Sequence, residues 1–180
     1  MVINYSRARS RVQELLRGQI EPPVNVEEIA RALGASIQPF DMEDDVAGVL
    51  YRQGDHRVIA INSRHSPTRQ RFTIAHELGH LALHRGQEVH VDQTFRINLR
   101  DPLSAQGQDV EEIEANAFAA NLLMPLTWLR RDFRGDTIDL EDDAEIVALA
   151  ERYQVSLQAM LIRLTTLFGS PERSGRKSSE

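Results

Sequence analysis

The chain has 180 residues, 41% hydrophobic, 27% charged and 6% aromatic, a balance that argues for one folded globular domain and against a disordered or fibrous chain. It contains no cysteine, so disulfides, thiolate metal sites and a cysteine nucleophile are excluded, and any metal must sit on His, Asp or Glu. The formal charge of −6 provides no global positive field toward nucleic acid, and no run approaches the roughly 18 apolar residues of a membrane helix, so a cytoplasmic protein with no membrane contact is expected.

In chain order, residues 6 to 18 place Val12, Leu15 and Leu16 at helical spacing before Gly18. Val26, Ile29, Ala30 and Leu33 repeat the pattern, and Gly34 stops it. Two runs rich in β-branched residues, 46 to 51 and 58 to 61, flank Gln53-Gly54-Asp55-His56 and predict a hairpin in a small sheet. Ser66-Pro67 then reads as an N-cap with proline at the first helical position, opening a long apolar helix that runs to Gly86. Residues 87 to 108 show little periodicity and predict a long connection with a short strand within 89 to 99. Helices follow over about 109 to 124, 126 to 133, 143 to 153 and 156 to 168. The expectation is an α+β fold: a mostly helical single domain over 1–168 with a small, antiparallel-leaning β-sheet, and a disordered tail over 169–180 rich in Ser, Gly and charge.

The chemistry concentrates in His76-Glu77-Leu78-Gly79-His80, an HExxH pattern. At 3.6 residues per turn the two histidines lie on one helix face, about 6 Å apart at Cβ, so both imidazoles can converge on one ion. Glu77 is offset by about 100° and can reach a metal-bound water without being a ligand. Zinc hydrolysis needs this set: two neutral nitrogens, a third protein ligand, and an open position for water. The helix is apolar around the motif, and burying imidazole and carboxylate without partners is costly, a cost that a metal removes. The third ligand must come from elsewhere. His84 lies one further turn along the same helix, too far from His76 to share an ion, and reads as a structural or orienting group. Glu111, Glu112 and Glu114 open the next helix. Its apolar face is centred within about 60° of Glu111 and Glu112 but about 100° from Glu114, so periodicity favours Glu111 or Glu112.

The segments Phe72-Thr73-Ile74-Ala75-His76-Glu77-Leu78-Gly79-His80 and Glu112-Ile113-Glu114-Ala115-Asn116-Ala117-Phe118-Ala119-Ala120-Asn121-Leu122-Leu123-Met124-Pro125 resemble the two signatures of the ImmA/IrrE family of metallopeptidases. The resemblance covers roughly residues 20 to 165 and includes the stretch from Pro23 to Ala30 and the Gly48-Val49-Leu50-Tyr51 run. It implies a gluzincin-like core, one Zn²⁺ (Mn²⁺ being the alternative metal) on His76, His80 and Glu112, and Glu77 as the catalytic base. It also implies a zinc-dependent endopeptidase whose protein substrate is a helix-turn-helix repressor of the XRE type. Cleavage would relieve repression of a mobile element, a toxin–antitoxin pair or a stress regulon. The competing reading is a metal-binding regulatory module that controls a repressor without proteolysis.

Residues 146 to 167 resemble a helix-turn-helix. Only Arg163 offers a base-capable cation on the second helix, however, and Glu141, Asp142, Asp143 and Glu145 precede the pair. A structural helix pair with no direct nucleic-acid contact is therefore the expectation, as is core anchoring for Trp128.

Overall fold

The computed structural model describes residues 4–85, 88–92, 110–132 and 143–168. Among them are seven helices and a four-stranded sheet, a mostly helical α+β arrangement as the sequence predicts.

Helix α1 (Tyr5–Leu15) starts at Asn4, whose side chain accepts from the Arg7 amide, and buries Ala8 and Val12. Helix α2 (Val26–Ala32) is capped the same way, the Asn25 side chain accepting from the Glu28 amide. It ends before Gly34, whose φ of +72° turns the chain into strand β1 (Ala35–Phe40) at a value that a side chain would resist. Strands β2 (Gly48–Gln53) and β3 (His56–Asn62) form the predicted hairpin, with Gln53 opposite His56 and Gly54 at φ +57° in the turn.

The sheet order is β1-β3-β2-β4, where β4 (Val89–Asp92) is the fourth strand. β1 pairs parallel to β3; β2 pairs antiparallel to both β3 and β4. β1, which precedes the hairpin in the chain, joins it on the far side of β3. β4 occupies the start of the predicted strand region, and residues 93–109 lie outside the described residues, as do Arg96 to Arg100 and the tail over 169–180.

Helix α3 (Pro67–Leu83) starts at Ser66, whose hydroxyl accepts from the Arg69 amide, with Pro67 first in the helix. Its residues 72 to 80 are all buried, the mark of a helix covered on every side. The sheet strands β2 and β3 cover one side, α1 and α2 pack beside it, and helix α4 (Val110–Leu123) covers the other. Two glycines set how closely these layers meet. A Cβ on Gly79 would lie 3.0 Å from the Ala115 Cα and 3.1 Å from its carbonyl oxygen, so backbone touches backbone where α3 crosses α4. A Cβ on Gly48 would stand 2.6 Å from the Thr73 methyl, so β2 lies directly on α3.

Helix α5 (Leu126–Asp132) follows Pro125 and buries Trp128 and Leu129, which places Trp128 in the core. Helices α6 (Asp143–Tyr153) and α7 (Leu157–Phe168) pack on one another. Arg163, the one cation the sequence offered for base contact, is not displayed. It is 6% exposed, its Nε and Nη2 both donate to the Met124 carbonyl at 3.1 Å, and Nη2 also donates to Asn121 Oδ1 at 2.8 Å. It fastens α7 to the end of α4, where the Met124 carbonyl and the Asn121 side-chain oxygen accept from it.

Candidate metal centre

Three elements converge on one point. α3 brings His76 and His80, α4 brings Glu112, and β4 brings His90, while Glu77 of α3 falls with His76 and Asp92 in an adjoining group. His76 and His80 are each 1% exposed, and their Nε2 atoms stand 3.0 Å apart. The Glu112 carboxylate spans them, Oε2 lying 3.2 Å from His76 Nε2 and Oε1 lying 3.1 Å from His80 Nε2. Of the three glutamates that the sequence offered on this helix, Glu112 is the one brought against both histidines.

The hydrogen bonds behind the imidazoles decide which nitrogen carries the lone pair. His76 Nδ1 donates to Asn116 Oδ1 at 3.0 Å, a carbonyl oxygen that can only accept, which leaves the Nε2 lone pair facing inward. His84 Nε2 meets the Glu114 carboxylate at 3.1 Å and so carries the proton, and its Nδ1 then accepts from His80 Nδ1 at 3.3 Å. His80 is left, like His76, with its Nε2 lone pair aimed at the common point. Two lone pairs 3.0 Å apart do not bond to each other; they need a cation between them. Burial holds His80 neutral, pushing it from 6.5 to about 4 against the raising effect of Glu112. Glu112 is held ionised, well below the usual carboxylate range: burial opposes this, and the neighbouring His76, His80 and His90 outweigh the burial. The residues present thus fit a divalent ion that takes nitrogen and oxygen ligands.

Glu77 is fully buried, and both its carboxylate oxygens make no hydrogen bond among the described residues. Burial first, then the nearby charges of Asp92 and Glu112, raise its pKa well above the ordinary value. Such an environment suits a group that takes up a proton during a reaction. Arg52 of β2 donates to the carbonyls of His84 at 2.9 Å and Arg85 at 3.3 Å, closing the C-terminal end of α3 with a cation.

Periodicity put Glu114 about 100° from the apolar face of α4. Yet it is 7% exposed, because α4 is covered by α1 as well as by α3; its Oε1 accepts from the Asn4 amide at 2.7 Å. His90 was not anticipated. Its signal was present in Val89-His90-Val91-Asp92, where period-two alternation sends the valines outward and two titratable residues inward: Val89 and Val91 are exposed while Asp92 is buried.

The family model for the IrrE N-terminal-like domain, a peptidase family, matches residues 26–165. A protein of Bacillus phage phi105 described as uncharacterized immunity region protein 2 is 26% identical over 141 residues, covering 78% of this chain and 82% of its own. The radiation response metalloprotease IrrE of Deinococcus radiodurans is 33% identical over 114 residues, covering 62% of this chain and 31% of its own, so the chain spans about a third of that relative. A solved structure of a Mycobacterium tuberculosis transcriptional regulator superposes with a TM-score of 0.58 at 18% identity, over 96% of this chain and 50% of that one, a likeness of fold.

Proposed function

The chain belongs to the IrrE N-terminal-like domain family, and from that premise we propose that it is a zinc-dependent endopeptidase with His76, His80 and Glu112 as metal ligands and Glu77 as catalytic base. The observation that carries this reading is the pair of buried imidazole Nε2 atoms 3.0 Å apart, bridged by Glu112, beside a buried Glu77 whose oxygens make no hydrogen bond among the described residues. Zinc, when bound there, supplies a Lewis acid that polarises a scissile carbonyl and acidifies water to a pKa of about 7.

The protein's own residues do the rest. Asn116 and the His84–Glu114 pair hold the two imidazoles in the metal-binding tautomer. Glu77 takes the proton of the attacking water on its carboxylate and delivers it to the leaving amide nitrogen, so the peptide C–N bond breaks as a neutral amine departs. Its raised pKa makes the carboxylate a stronger base for the first step, and the buried site keeps that proton from bulk water.

The substrate in this reading is a protein, bound as an extended strand along the sheet edge, and specifically a helix-turn-helix repressor of the XRE type. Three things support it: the relatives are named for a phage immunity region and for a radiation response, and a net charge of −6 suits a basic DNA-binding partner. The test is co-expression with the helix-turn-helix repressor encoded nearby, mapping any cut. Glu77→Gln should retain about one zinc per chain and lose cleavage. A Glu77→Gln variant that still relieves repression like wild type would instead make the protein a binding module that regulates without hydrolysis.

A further inference from the structure

We propose that His90 is a fourth protein ligand of the metal, delivered by the edge strand β4, so that the metal is closed to water until His90 leaves. The inference rests on the metallopeptidase reading above and adds to it a built-in closed state.

His90 Nε2 lies 3.2 Å from Glu112 Oε1, the same oxygen that meets His80 Nε2 at 3.1 Å. The His80 and His90 rings stand 4.1 Å apart at their centroids with planes inclined 37°. One ligand atom from each of His76, His80, His90 and Glu112 lies within 4.8 Å of all the others. Zinc holds nitrogen and oxygen ligands at about 2.0–2.2 Å, which sets tetrahedral edges of about 3.3–3.6 Å. The contacts among these four residues, 3.0 Å between His76 and His80, 3.2 Å from His76 to Glu112 Oε2, and 3.1 and 3.2 Å from His80 and His90 to Glu112 Oε1, are close to that length.

An ordinary role for His90 would be a hydrogen bond to Glu112, and the distance alone allows it. Among the described residues, however, the buried His90 Nε2 makes no hydrogen bond of acceptable geometry. Its placement is equally pointed. Opposite Leu50 on β2, it turns toward the histidine pair while Val89 and Val91 on either side face outward.

A tetrahedral zinc with four protein ligands has no position for water, whereas hydrolysis needs one. β4 is the last strand in the described sheet, so an extended peptide pairing there adds directly to the strand that carries the closing ligand. Substrate docking and opening of the metal are thereby placed on the same four residues.

Two position-90 variants of the full chain test this without relying on activity, each checked for folding by circular dichroism. In chelator competition, His90→Ala should bind zinc at least about tenfold more weakly than wild type, since even outer-shell partners are worth about 10–100-fold. The chain has no cysteine, so wild-type protein loaded with cobalt cannot show a thiolate-to-cobalt charge-transfer band, whereas His90→Cys should. Unchanged zinc affinity in His90→Ala, or a His90→Cys protein that holds cobalt without the band, overturns the proposal while leaving the three-ligand site intact. Wild-type protein that binds no metal overturns both.

Discussion

His84 donates from Nε2 to Glu114 Oε2 across 3.1 Å, joining residues 30 positions apart, and that bond determines the tautomer of His80. Glu114 is itself held by the Asn4 amide at the start of α1, so a chain of contacts runs from the N-terminal helix to the candidate metal point. His84→Ala should lower zinc affinity about 10–100-fold, because His80 loses the acceptor that keeps its Nδ1 protonated. Competition with a chelator measures this. Affinity equal to wild type would show that His80 needs no such partner.

Gly79→Ala should loosen the crossing of α3 and α4. The new methyl would meet the Ala115 backbone at 3.0 to 3.1 Å and Phe118 Cδ1 at 3.2 Å, and backbone cannot rotate away. Overpacking of this kind costs about 1–3 kcal/mol, and the same displacement moves Glu112 relative to His76 and His80. Urea denaturation should give a lower midpoint, and zinc should bind more weakly. A variant with wild-type stability and metal affinity would mean that the helix crossing does not set the site.

Hydrolysis should fail on the acid side through Glu77. A base must be ionised to accept a proton, and burial, then Asp92 and Glu112, raise its pKa, so its protonated, inactive form persists to higher pH than for an ordinary carboxylate. Asp92→Asn removes one of the negative neighbours, lowers the Glu77 pKa and should move the acid limb of the kcat/KM profile to lower pH. A limb that stays in place or moves upward would detach that limb from Glu77.

Without metal, the stability of the protein should fall between about pH 6.5 and 4 through His80. Its pKa is lowered to about 4 in the folded chain from 6.5, chiefly by burial, so the unfolded chain binds the extra proton across that window and folding weakens as pH falls through it. Thermal melts of chelator-treated wild type and His80→Gln, compared at the two ends of the window, should show the smaller acid loss in the variant. Parallel curves would remove His80 as the cause.

Arg163→Met should destabilise the chain by about 1–3 kcal/mol, since the Met124 carbonyl and Asn121 Oδ1 lose their buried donor. Chemical denaturation reads this directly. A variant of unchanged stability that lost affinity for DNA would restore a recognition role to α7.

The sequence by itself determined what depends on spacing along one helix. His76 and His80 share a face because the α-helix repeats every 3.6 residues, and Ser66-Pro67, Gly34 and Gly54 mark their helix start, helix stop and hairpin turn through backbone chemistry that needs no distant partner. The absence of cysteine had already confined any metal to imidazole and carboxylate. Only the tertiary structure brought Glu112 against both histidines and placed His90 beside it. A helical wheel assumes one buried side, but α4 is buried against both α1 and α3, so Glu114 and Glu112 are both drawn inward to different partners. His90 reaches the site because β4 pairs with β2, and β2 lies on α3 through Gly48; which strand ends beside which helix is set by packing across the chain, not by any period within it.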